Sequence, residues 1–253
     1  MQAAIVTVGD ELLAGDTENT NATWLCGQLT DRGVTVTRVL TVPDEIETIA
    51  EAVRAYADAF DAVLVTGGLG GTPDDVTMDG VAAAFDLPLA VDDLAEADLE
   101  RTLEAIAGDY PDLNVNVEAE ASIPEGARPL INNAGLSPGC VVEASGASTY
   151  VLPGIPNEMK PMFEGVAEEF SGDVQSRTLY TDEPEAALIE RLDDVRHKFD
   201  VQVGCYPDRA VQHNRLKLRG EDEARLEEAF AWLGENVRTV DAPEGANGGE
   251  ESA

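Results

Sequence analysis

The sequence predicts an α/β protein: a three-layer α/β/α domain on a mostly parallel sheet, then a small α+β domain. Three observations carry this. Apolar runs suited to strands covered on both faces, "AAIVTVG" (3–9) and "DAVLV" (61–65), alternate with segments of helical periodicity up to about residue 86. Strands alternating with helices in this way build parallel, doubly wound sheets. From about Val174 the order changes to strand, helix, strand, strand, helix, a βαββα unit about half the usual domain size.

The elements follow in order. Asn19 or Asn21 can cap the helix of "NATWLCGQLTDRG", where Trp24, Leu25 and Leu29 share a face before Gly33 stops it. "VTVTRVLTV" (34–42) alternates as a strand does. Asp44 stands where a cap is needed for "EIETIAEAVRAYADAF", whose Ile46, Ile49, Ala50 and Val53 recur at helical spacing. After "DAVLV" come a glycine-rich loop and the helix "DVTMDGVAAAFD". A charged helical stretch, "VDDLAEADLERTLEAIAG", precedes a less regular segment. Residues 126–159 read as short strands between turns rich in Gly, Pro and Asn, and "NEMKPMFEGVAEEF" closes the domain as a helix. The boundaries expected are 1–172 and 173–240, with a disordered acidic tail over 241–253.

Fifty Asp and Glu face sixteen Lys and Arg, for a formal net charge of −34, and the acids are spread along the whole chain. Only Lys160, Lys198 and Lys217 are lysines. Such a charge destabilises a compact fold unless salt screens it, and the pattern is that of a salt-accumulating, halophilic cytoplasm. It disfavours non-specific nucleic-acid binding. No run approaches the roughly 20 apolar residues of a membrane span, and the N-terminus lacks a basic leader, so a cytoplasmic location is expected. Cys26, Cys140 and Cys205 form no CxxC pair, and His197 and His213 form no metal-ligand pattern.

Two loops leave strands at one rim of the expected sheet: "GDELLAGDTENTN" (9–21) and "TGGLGGTPDDVT" (66–77). Together they bring Asp10, Glu11, Asp74 and Asp75 beside Gly67 to Gly71. Glycine lets successive N–H groups converge on an anion, and in a chain this poor in cations, backbone amides are the natural phosphate donors. Mg²⁺ takes carboxylate and phosphate oxygens together, which would reconcile the acids with an anionic ligand. The plainer reading is a glycine turn and a helix cap, and the loop is neither GxGxxG nor GxxxxGK[ST].

"GDELLAG" with "NTNATWL", then "TGGLGGTPDDVT", "NNAGLSPG" and "LPGIPNEM" resemble, in order and spacing, the N-terminal domain of the CinA family. That domain is similar to the molybdopterin-binding fold of MoaB, MogA and MoeA. The stretch with "VGCYPD" and "LKLRGED" resembles the KH-like middle domain of the same family. Two local departures stand out: Gly71 replaces a usual Pro, and Met78 replaces a usual basic residue. The family's C-terminal amidohydrolase domain has no counterpart in the sequence, so its nicotinamide-nucleotide deamidase activity is not carried over.

The resemblance implies metal-dependent cleavage of a nucleotide pyrophosphate such as ADP-ribose. The alternatives are molybdopterin binding, molybdopterin adenylylation, or a non-catalytic module partnering a separate deamidase. It implies Asp10, Glu11, Asp74 and Asp75 as catalytic carboxylates, with Asp10, Asp74 and Asp75 on Mg²⁺ or a similar divalent ion and K⁺ as a further candidate. Gly9, Thr66, Gly67, Gly68, Gly70, Gly71 and Thr72 would hold phosphate. Asn132, Gly135, Pro138, Gly139, Gly154, Pro156 and Glu158 would shape the pocket. The partners implied are a phosphorylated nucleotide or pterin and further copies of the chain, as a dimer or trimer.

Two other features read as structural. His213, Arg215, Lys217 and Arg219 share one strand face and are expected to pair with the acidic helix from Glu221 or with an acidic neighbouring subunit. Cys140, without a nearby base, reads as a buried, inert thiol.

Overall fold

The computed structural model describes residues 1–110, 113–208 and 213–242. The expected tail lies, from residue 243 onward, outside the described residues. The chain divides into two units, Met1–Gly172 and Asp173–Ala253.

In the first unit a sheet of order β2-β1-β3-β8-β7-β6 is built from β1 (Gln2–Val8), β2 (Thr35–Val42), β3 (Ala62–Thr66), β6 (Arg128–Leu130), β7 (Gly139–Ala144) and β8 (Ala147–Leu152). β2, β1, β3 and β8 run parallel, and β7 runs antiparallel to both of its neighbours, β8 and the edge strand β6. Every residue of β1 after Gln2, and all of β3, is buried. Helices on both faces require this. Ala3, Ile5, Leu64 and Leu152 pack with Leu25 and Leu29 of α2 (Thr20–Asp31) and Met159 and Phe163 of α7 (Pro156–Glu164). The alternate residues Val6, Val8, Val63 and Val65 pack with Ile49 and Val53 of α3 (Ile46–Ala57) and Val81 of α4 (Thr77–Ala84). The fold is therefore the three-layer arrangement predicted.

Smaller elements escape the periodicity. α1 (Asp10–Ala14) is a five-residue helix inside the first loop. β4 (Leu89–Val91) and β5 (Ser122–Pro124) form a separate two-stranded ladder on either side of α5 (Asp93–Ile106) and α6 (Val117–Glu120). Three-residue strands are too short to show alternation. The cap expected from Asp44 does not form: Glu45 is the N-cap of α3 and its side chain accepts from the Thr48 hydroxyl at 2.9 Å and caps no helix N–H, while the Asp44 carboxylate accepts the Asp10 N–H at 2.8 Å.

The second unit holds β9 (Gln175–Thr181), α8 (Glu185–Phe199), β10 (Gln202–Asp208), β11 (His213–Gly220), α9 (Glu223–Asn236) and β12 (Thr239–Val240), with an antiparallel sheet of order β10-β11-β9-β12. Leu216 and Leu218 of β11 pack with Leu188, Val195, Leu226 and Leu233 of the two helices. The first turn of α9 is paired by Arg177 of β9, which reaches Glu227 at 2.6 Å and Glu223 at 3.8 Å. Arg215 instead stands over the Tyr206 ring, 5.3 Å from its centroid. Among the described residues no helix is long and apolar enough to cross a membrane.

Glu183 anchors this unit. Its carboxylate accepts from Arg191 at 2.6 Å and from the Arg238 N–H at 2.6 Å, and the Arg191 bond above all lowers its pKa from 4.5 to about 2. A depressed carboxylate pKa gives stability that is complete above 4.5 and is lost as pH falls toward 2. Acid titration of thermal stability should therefore show a fall across that window that Glu183→Gln reduces, with the variant less stable at neutral pH. An unchanged profile in the variant would contradict this.

Candidate functional site

Across the centre of the first sheet, Thr7 at the end of β1 lies opposite Thr66 at the end of β3. From β1 the chain moves out to β2 and returns across β1 to β3, which makes this the point where strand order reverses and where open sheets gather ligands. The two threonines are buried and pin the loops above them. Asn19, whose side chain caps α2 through the Ala22 N–H, also donates to Thr7 Oγ1 at 2.9 Å. Asn21 donates to the Gly154 carbonyl at 2.7 Å and to Thr66 Oγ1 at 3.2 Å, and Thr66 donates to the Pro153 carbonyl at 2.6 Å.

Two clefts open on this rim. The first, about 510 Å³, includes Gly9, Glu11, Thr66, Gly67, Asp74, Gly154 and Pro156 in its lining. The second, about 810 Å³, includes Gly70, Gly71, Thr72, Gly135, Pro138 and Glu158. Gly68, Leu69, Asp75 and Ile155 line both and form the wall between them. The sequence reading placed all of these residues in one pocket except Leu69 and Ile155, which it did not single out. A depression of about 390 Å³ around Arg54 and Asp86, lined also by Val142 to Ala144 at the carboxyl end of β7, contains none of the candidate residues.

The shared wall has an unusual backbone. Gly67 and Gly68 have φ of 107° and 60°, which side chains rarely adopt. Thr77 holds them there: its hydroxyl donates to the Gly67 carbonyl at 2.8 Å and its N–H to the Gly68 carbonyl at 3.1 Å. The Gly67 N–H goes to the Leu152 carbonyl at 3.3 Å. Among the described residues, the N–H groups of Gly68, Leu69, Gly70 and Gly71 have no acceptor. Four successive unpaired donors beside two clefts are a donor set of the kind that can receive anion oxygens. Thr72 is not part of it, because its N–H and hydroxyl reach Asp75 Oδ2 at 3.0 and 2.5 Å.

The carboxylates surround this seat. Asp44, Glu11 and Asp74 line the first cleft. Burial raises the Asp44 pKa, and the charges of Asp10, Glu11 and Asp74 raise it further against the opposing Asp10 N–H bond. The Thr72 hydroxyl, helped by the Asp74 N–H, holds the Asp74 carboxyl below its ordinary range. In the second cleft, burial and then the Asp75 charge raise Glu120, partly offset by the Ser137 hydroxyl at 3.2 Å. No Lys or Arg appears among the residues lining either cleft.

Three candidates take other places. Asp10 is not among the residues lining either cleft; its N–H donates to Asp44 and its charge helps raise the Asp44 pKa, so it stands beside the first cleft. Asn132 is buried: its amide donates to the Ser137 carbonyl (2.9 Å) and to Glu158 (2.7 Å), and accepts the Ala134 N–H (3.2 Å), so it shapes the loop and has no free donor for a ligand. Gly139 is buried at the start of β7. Asp44 and Glu120 were missed because their neighbours are distant in sequence. Cys140 is fully buried, with its thiol pushed up to about 12.

Among the described residues no three His, Cys, Asp or Glu side chains form a ready-made metal-ligand set. The donor chemistry nevertheless suits a hard cation: carboxylate oxygens, repelling one another at Asp44, with no basic side chain among the lining residues. Such an ion would complete its shell with phosphate and water oxygens.

Residues 4–172 match the family described as "Probable molybdopterin binding domain". The chain belongs to this family. Residues 173–241, read above as KH-like, match the family described as "FAD synthase, middle domain". Protein PH0439 of Pyrococcus horikoshii is 37% identical over 242 residues, covering 91% of this chain and 94% of that protein. A CinA-like protein of Thermotoga neapolitana is 36% identical over 228 residues, covering 88% of this chain but 55% of that protein, so the chain spans about half the length of this relative. The crystal structure of CinA from Thermoplasma acidophilum, described as of unknown function, superposes with a TM-score of 0.62 at 32% identity, over 68% of this chain and 99% of that one. The chain is thus a CinA-like molybdopterin-binding-domain protein.

At Gly67 an added methyl would meet the Val8 carbonyl as well as a strained φ, whereas at Gly71 it would meet the end of the Glu120 side chain. Gly67→Ala should lower stability by about 1–3 kcal/mol in urea unfolding, and Gly71→Ala by less than about 0.5 kcal/mol. Equal losses would show that the loop is not held as described.

Proposed function

We propose that the first unit binds the diphosphate of a nucleotide pyrophosphate such as ADP-ribose and hydrolyses it. The observation carrying this reading is the row of unpaired N–H groups, Gly68 to Gly71, which starts on the wall shared by two clefts and runs on into the second. A diphosphate with a group on either side fits such a wall better than a compact anion does. In hydrolysis water oxygen bonds to one phosphorus, the bridging oxygen leaves with the other phosphate, and ADP-ribose yields AMP and ribose 5-phosphate. The amides of Gly68 to Gly71 stabilise the charge growing on the phosphoryl oxygens. Asp74 orients the water, and Asp44, whose pKa is raised, takes up its proton. Asp74 and Asp75 would hold Mg²⁺ or a similar ion together with the diphosphate, and that ion would polarise the phosphoryl group. K⁺ is a further candidate for the remaining carboxylates.

A second reading is molybdopterin binding or adenylylation, favoured by the family match over 4–172. FAD is a candidate pyrophosphate because 173–241 matches the middle domain of FAD synthase. A module partnering a separate deamidase would fit the greater length of the CinA-like relative. A cytoplasmic location and assembly as a homodimer or trimer belong to the same proposal.

Incubation with ADP-ribose and Mg²⁺ in concentrated KCl, followed by chromatography, should release AMP. Asp74→Asn and Asp75→Asn should each slow release by about 100-fold or more with circular dichroism unchanged. Full activity in both variants would overturn the assignment, and absence of release with tight pterin binding would favour the second reading.

A further inference from the structure

Away from the glycine wall, the first cleft adjoins a recess of about 510 Å³ that shares Glu18 to Asn21 and Pro156 with it and adds Thr23, Trp24 and Lys160. The recess lies one helical turn inside two neighbouring helices. Trp24 is four residues after Thr20, the first residue of α2, and Lys160 is four residues after Pro156, the first residue of α7. Trp24 is half-buried and its ring is locked edge-on against Phe163, with centroids 5.4 Å apart and planes at 83°. The Lys160 ammonium stands 5.8 Å from the centre of the same ring.

Lys160 is the only lysine of residues 1–172, and among the described residues it makes no ion pair. In a chain with fifty acids, a lone cation held at an aromatic ring on the rim of an otherwise base-free cleft is a recognition feature. Asn21 adds a second one. It lines both spaces, and its Oδ1 is buried without a donor. The orientation of this amide is fixed, since its nitrogen must face the Gly154 carbonyl. A buried acceptor on the shared wall calls for an N–H or O–H from whatever fills it.

We propose that this recess is a nucleoside subsite, in which the planar base of a dinucleotide-type ligand packs on Trp24 and Pro156 while its diphosphate lies on Gly68 to Gly71. The proposal rests on the reading of the first cleft as a diphosphate site. Lys160 donates to acceptor atoms of the base or ribose, and a ribose hydroxyl or exocyclic amine donates to Asn21 Oδ1. The edge of an aromatic base carries both kinds of group, which a bare sugar phosphate does not.

The chain has two tryptophans, Trp24 and Trp232, and Trp232 lies in the second unit. In Trp232→Phe protein, Trp24 fluorescence should be quenched by ADP-ribose and not by inorganic pyrophosphate, although calorimetry shows both to bind. Lys160→Met should weaken ADP-ribose about tenfold and leave pyrophosphate within about twofold. ADP-ribose binding that leaves Trp24 unquenched and is indifferent to Lys160→Met would overturn the subsite while sparing the diphosphate site. Equal weakening of both ligands would reduce Lys160 to a phosphate contact and would also overturn it. Failure of both ligands to bind would remove the diphosphate reading, and the subsite with it.

Discussion

Thr77 is the residue on which the site depends. By drawing the Gly67 and Gly68 carbonyls toward the start of α4, it turns the following peptide groups outward and leaves their N–H groups without acceptors. Helix formation supports this geometry, since Thr77 is itself the first residue of α4 and is fully buried. Glycine at 67 and 68 is the corollary, because only a residue without Cβ readily accepts the resulting φ, with the Val8 carbonyl against Gly67 and the Thr77 hydroxyl against Gly68. An anion site of this kind needs no lysine or arginine, and the residues lining the two clefts include neither.

Charge sets the second constraint. Asp44, Glu11, Asp74, Asp75 and Glu120 flank the amide row, and Asp44 and Glu120 have raised pKa values, first from partial burial and then from the neighbouring like charges. Carboxylates beside the proposed phosphate seat would repel the ligand unless a cation sits between them. The acids and the amides therefore make sense together and not apart. Asp75 shows the competition directly: its own oxygen occupies the Thr72 N–H and hydroxyl, next to the free amides.

Much of the fold was legible because the central strands are buried on both faces. The continuous apolar runs around Ile5 and Leu64 can only be interior strands, and the period of Ile49 and Val53 matches the helix that covers them. The glycines and aspartates of residues 66–77 also advertised a site. What the sequence did not disclose depends on contacts between distant residues. The Asp44 carboxylate meets an N–H 34 positions away, Asn21 reaches a carbonyl 133 positions away, and Glu120 joins the second cleft from a four-residue helix with no periodic signal. Local capping rules therefore assigned Asp44 to its own helix and left Asn19 and Asn21 interchangeable, whereas the fold gives one asparagine the cap and the other the bridge to Gly154. Sheet strands of two or three residues, such as β4, β5 and β12, escaped for the simpler reason that alternation needs length.

The most direct measurement follows the amides themselves. In ¹⁵N-labelled protein titrated with pyrophosphate and Mg²⁺ in concentrated KCl, the N–H resonances of Gly68, Leu69, Gly70 and Gly71 should move downfield together and saturate at one affinity, while the Gly67 N–H, already bonded to Leu152, moves little. Saturable binding that leaves those four resonances in place and shifts arginine or lysine side-chain signals instead would contradict a site made from main-chain donors.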